Sequence, residues 1–111
     1  MKHPKNIDLL QGTLELLLLR MLQSGPANGW DLMQRVQLVS KEVLRITPGS
    51  LYPALHRLEA RSLIASEWES SENNRKAKFY NITSAGRRQL DAERKAWERF
   101  SGAIELILRD A

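Results

Sequence analysis

Between Thr47 and the C-terminus the spacing of apolar residues changes twice, from helical to alternating and back to helical, and few small folds have that order. In TPGSLYPALHRLEARSLI, residues 47–64, Leu51, Leu55 and Leu58 share one helical face with Ala54 on its flank. Leu63 to Ser70 and Ala77 to Thr83 then read as two short strands around the polar loop SSENNRK, carrying the β-formers Ile64, Trp68, Phe79, Tyr80 and Ile82. Thr83 is placed to cap a long last helix over residues 84–111.

Two more helices precede this pattern. Leu10, Leu14, Leu17, Leu18, Met21 and Leu22 predict one from about Asp8 to Gln23, ended by Gly25 and Pro26. Leu16 and Leu19 widen its apolar surface beyond a single stripe. Asn28 can cap a second helix over Gly29 to Val39, with Asp31 favouring its positive end. Helix, helix, helix, hairpin, helix describes a mainly α chain with a two-stranded β wing, a winged helix-turn-helix followed by a long C-terminal helix. Residues 1–83 form the winged region in this reading and residues 84–111 a dimerisation helix.

That last helix carries Leu90, Trp97, Phe100, Ile104 and Ile107 at heptad-like spacing, interrupted by Glu93. No other element of the 111 residues remains to cover all of the seam. It is expected to pack across a two-fold axis or against the first helix of a second copy, which adds Leu10 and Leu14 to the interface.

The third helix has features that packing alone does not require. Thr47 is a good N-cap and Pro48 a good first residue, whereas Pro53 deletes a bond to the Gly49 carbonyl and should loosen the first turns. A helix that enters a DNA groove has a use for small residues at its tip, Gly49 and Ser50, where backbone N–H groups meet phosphate. Tyr52, His56 and Arg57 are long enough for phosphates or base edges, and Pro53 can touch a thymine methyl. Asn74, Arg75, Lys76 and Lys78 supply donors on the wing, and the formal charge of +4 suits a polyanion. A solvated outward face on a winged-helix protein-interaction or assembly module is the competing reading.

Other classes are poorly supported. The chain has no cysteine and two histidines, with no glycine-rich phosphate loop and no metal-ligand spacing, so neither an enzyme nor a cofactor or metal site is expected. The run LELLLLRML, Leu14 to Leu22, is too short for a bilayer core of about 30 Å and contains Glu15 and Arg20. With no signal-peptide pattern either, a cytoplasmic protein without a membrane partner is expected.

LLQGTLELLLLRML, then Gly29 and Trp30 followed by Asp31, then TPGSLYPALHRLEARSLI and RKAKFYNITSAG, together resemble the PadR family of transcription regulators over nearly the whole chain. The resemblance implies a homodimer that binds palindromic double-stranded DNA, usually as a repressor, in the family's short branch with a single C-terminal helix. It carries over Ser50, Leu51, Tyr52 and Pro53 as a unit, with Leu51 in the core, and Arg75, Lys76, Lys78, Tyr80 and Thr83 in the wing. Phe79 stands where the family more often has tyrosine. Some short members bind planar drugs between subunits, and the resemblance allows Trp97 to be one wall of a slot for a small planar, apolar or cationic effector; the other reading of a tryptophan at a heptad position is that it simply fills the interface. Trp30 and Trp68 are assigned to packing.

Overall fold

A computed structural model describes residues 11–70 and 75–110. Helix α1 spans Gln11–Gln23, strand β1 Ala27–Asn28, α2 Gly29–Val39 and α3 Pro48–Ala60. Strands β2 (Ile64–Ser70) and β3 (Lys76–Ile82) and helix α4 (Ser84–Asp110) complete the chain. The expected interface residue Leu10 and the expected wing contact Asn74 lie outside the described residues.

Helix boundaries follow side-chain chemistry. The Asp31 N–H donates to Asn28 Oδ1 at 2.8 Å, the Ser50 N–H to Thr47 Oγ1 at 3.3 Å, and the Gly86 N–H to Thr83 Oγ1 at 3.0 Å. Helix α3 runs unbroken through Pro53. At its end Ser62 adopts a φ of 60°, its N–H donates to the Glu59 carbonyl, and the Leu63 N–H reaches back to that of Leu58. This is a Schellman closure, sealed by the buried pair Leu58 and Leu63.

The sheet is antiparallel in the order β1-β3-β2, with Ile64 opposite Ile82, Ser66 opposite Tyr80 and Trp68 opposite Lys78. Its third strand, β1, escapes sequence reading because two residues have no measurable period. Ala27 and Asn28 pair with Tyr80 and Phe79, which ties the start of α2 to the root of the wing.

The core is built by Leu18, Leu19 and Leu22 of α1, Leu32 of α2, Leu51, Leu55 and Leu58 of α3, and Ile64 of the sheet. Leu14 and Leu90 also belong to it, at 9% and 1% exposure. This corrects their assignment to an interface between copies: α1 lies against the first half of α4, so both side chains are already covered within one chain. Beyond Leu90, α4 buries no side chain. Trp97, Phe100, Ile104 and Ile107 are all exposed there.

Candidate nucleic-acid interface

Helix α3 divides by face as its sequence demands. Leu51, Ala54, Leu55 and Leu58 point inward, while Thr47, Gly49, Tyr52, Pro53 and His56 are exposed and Ser50 is half-buried. A Cβ on Gly49 would approach only Thr47 Oγ1, at 3.9 Å, so the tip of the helix is open to a close approach. Tyr52 does more than project outward. A Cβ built on Gly29 would fall 2.5 Å from the Tyr52 hydroxyl, so glycine is what allows the phenol ring to cross the start of α2 and brace the corner between the two helices.

Arg57 departs from expectation. Its Nε donates to Glu15 Oε2 at 2.7 Å, and Arg61 Nη1 lies 3.6 Å from the other carboxylate oxygen. The guanidinium that helical periodicity placed on the DNA-facing side is thus drawn back onto α1. The physical reason is the Glu15 side chain, only 14% exposed, which requires a cation in this position. A single acid inside the leucine run of α1 was the available signal.

On the wing, Arg75 and Lys76 are exposed at the outer end of β3. Lys78 is partly engaged, with its ammonium 3.9 Å from Glu59 Oε1 and 5.7 Å from the centre of the Tyr80 ring. The Ser66 hydroxyl donates to Glu59 Oε2 at 2.6 Å, so Glu59 fastens the end of α3 to the wing. Burial pushes the Tyr80 phenol above its ordinary pKa of 10.0, aided by the electrostatic influence of nearby Glu59 and Tyr52.

Two grooves open beside these elements. One, of about 440 Å³, lies between the start of α2, Tyr52 and the wing, with Trp30, Trp68 and Lys78 on its walls. Trp30 and Trp68 are 63% and 64% exposed, which corrects their assignment to packing. The other, of about 350 Å³, lies between α1 and α4 and is lined by Gly12, Thr13, Leu16, Glu93, Trp97 and Phe100, among others. In it the Trp97 and Phe100 rings stand 6.0 Å apart, tilted by 46°. Among the described residues no three His, Asp or Glu side chains cluster to hold a metal, and no helix is long and apolar enough to cross a membrane.

Comparison with known proteins agrees with this architecture. A transcriptional regulator from Clostridium thermocellum superposes with a TM-score of 0.82 at 24% identity, covering 88% of this chain and 95% of that one. A PadR family transcriptional regulator from Eggerthella lenta superposes with a TM-score of 0.78 at 30% identity, over 94% and 88% of the two chains. The transcriptional regulator Rv3488 of Mycobacterium tuberculosis is 42% identical over 68 residues, 61% of this chain and 63% of that protein. Residues 18–92, from the core of α1 through the helices and wing to the anchored start of α4, match the model of the Transcriptional regulator PadR-like family. Fold and sequence therefore converge on a regulator of transcription rather than an enzyme: with a winged helix-turn-helix and a single long C-terminal helix, this chain belongs to the PadR-like family.

Proposed function

We propose that the protein is a homodimeric repressor of a palindromic operator, in which residues 1–83 read DNA and residues 84–111 join the two copies. The observation that carries this reading is that Tyr52, on the uncovered face of α3, and Lys78, on the wing, line one groove. Around it the tip of α3 offers Thr47, Gly49, Ser50, Pro53 and His56 to the major groove, and Arg75 and Lys76 offer cations to the flanking backbone. A dimer is supported by the bare apolar side of α4, where each large side chain contributes roughly 1.5 to 3 kcal/mol when covered. Two-fold symmetry then sets the half-sites about one helical turn, ~34 Å, or a multiple of it apart.

The groove beside Trp97 supports release by a small planar, apolar or cationic effector. It adjoins the unpaired half of α4, where an occupant would touch the same side chains as a second copy.

Titration of a palindrome taken from upstream of the protein's own gene, at several salt concentrations, tests the proposal. Log affinity should fall steeply with log salt, and Arg75→Ala should reduce the slope by about one unit. Absence of duplex binding by a properly folded dimer would leave an assembly module instead.

A further inference from the structure

We infer that the groove between α3 and the wing grips one sugar-phosphate strand of the duplex, through neutral donors from Trp30, Trp68, Asn28 and Tyr52 set beside Lys78. This deepens the DNA-binding reading above and rests on it. Neither tryptophan serves the core: both indoles are nearly two-thirds exposed, yet they line the same groove from different elements, Trp30 at the start of α2 and Trp68 on β2. Large aromatic side chains left out of a core and gathered around one concavity usually mark a contact surface.

The sheet register explains how Trp68 comes to face the helices. Ile64 and Ile82, Ser66 and Tyr80, and Trp68 and Lys78 are successive opposed pairs on one face of the hairpin. The first two pairs lie over the helices, with Ile64, Ile82 and Tyr80 buried there. The third continues the same face outward, past the edge of the core and into the open.

The chemistry of the walls selects the occupant. An indole N–H only donates, and an ammonium only donates. Asn28 has its carbonyl oxygen occupied by the Asp31 N–H, which leaves its amide hydrogens for an outside acceptor. Among the described residues, neither indole N–H nor the Tyr52 hydroxyl bonds to a protein group. Among the described residues no carboxylate lines the groove, and Glu59 lies 3.9 Å from the Lys78 ammonium. Walls rich in donors and poor in acceptors fit a chain of phosphate oxygens, while the indole faces fit the carbon face of deoxyribose. Continuity with Tyr52 and Lys78 places this strand next to the groove that α3 reads.

Most of these donors carry no charge, which gives the clamp a signature distinct from that of the basic wing. Trp30→Ala and Trp68→Ala should each weaken binding by about tenfold, the value of roughly one hydrogen bond. The loss should be equal for the palindrome and for a scrambled duplex, since backbone contacts carry no sequence information. The salt slope should stay unchanged, since a neutral donor releases no counterion. Trp68→Phe, which keeps a ring and loses the N–H, should fall between wild type and Trp68→Ala. Duplex should shield the wild-type indoles from acrylamide, and that shielding should shrink in Trp30→Ala and in Trp68→Ala.

Wild-type affinity in both alanine variants, alongside a reduced slope in Arg75→Ala, would overturn the clamp and leave DNA recognition standing. A loss confined to the palindrome would overturn the backbone assignment in favour of base reading. Indoles that respond to anilinonaphthalene sulfonate and not to duplex would make the groove a small-molecule site. Failure of the wild-type protein to bind any duplex would remove both readings together.

Discussion

Glu15 on α1 receives the Arg57 guanidinium of α3 in a bond of 2.7 Å, across 42 residues of sequence. With Arg61 at 3.6 Å from the other oxygen, one mostly buried carboxylate draws toward α1 two arginines that would otherwise extend from the flank of the reading helix, and leaves the trio with a net positive charge. Glu15→Gln, which keeps the shape and removes the charge, should cost about 1 to 2 kcal/mol in urea unfolding. Arg57→Ala should also destabilise the fold but leave the salt slope of DNA binding unchanged. A slope reduced by about one unit would return Arg57 to the phosphate contacts.

Two substitutions at one joint should act in opposite directions. Thr83 links the end of α3 to the start of α4: its hydroxyl lies 2.8 Å from the Ser62 carbonyl and accepts the Gly86 N–H. Ser62 holds a left-handed conformation that glycine adopts without strain, so Ser62→Gly should stabilise by about 0.5 to 1 kcal/mol. A Cβ at Gly86 would collide with the Leu63 carbonyl oxygen and approach Ile82 Cγ1 to 2.7 Å. Gly86→Ala should therefore cost at least about 2 kcal/mol, because backbone has to give way. Thermal melting of the pair reads both signs.

The buried phenol of Tyr80 sets an alkaline limit. Its folded pKa lies above the unfolded value of 10.0, so its contribution is complete below that value. It is lost as pH rises through the folded pKa, since the unfolded chain gives up the proton first. Urea midpoints should be level with respect to this group below pH 10 and then fall, and Tyr80→Phe should remove its share of the decline. Tyrosinate absorbance in the folded protein should show one phenol titrating late.

Ile104→Glu places a charge in the middle of the bare side of α4, with Phe100 and Ile107 close by in sequence. Light scattering should then report a single-chain mass in place of the proposed dimer, with the helical content of the winged region retained. Operator affinity should drop with it, as two half-sites are no longer held by one particle. A variant that stays dimeric would move the interface off this helix.

The elements were legible wherever a period runs for several residues. The leucines of α3, the caps at Asn28, Thr47 and Thr83, and the hairpin from Ile64 to Ile82 are all local signals, and each is realised. What escaped the reading is non-local. Arg57 and Glu15 lie far apart in sequence, so periodicity assigned the arginine to an outward stripe and saw the acid only as a break in an apolar run. Leu90 fits a heptad seam, but which partner covers it depends on how α1 and α4 cross. Trp30 and Trp68 illustrate the same limit: an indole on an amphipathic element reads as core unless the register puts it beyond the core's edge.

Among the described residues, helix α4 buries side chains at its start alone. Its anchor is the stretch from Gly86 to Leu90, and from Asp91 to Asp110 no residue is buried. At about 1.5 Å per residue the free portion is a lever roughly 30 Å long. A pivot of about 5° at the anchor displaces the far end by roughly 2.6 Å over that length. In a two-fold assembly built on this arm the gearing also runs in reverse: a slight change in how the two arms cross alters the separation and tilt of both winged heads, while every residue within them keeps its neighbours.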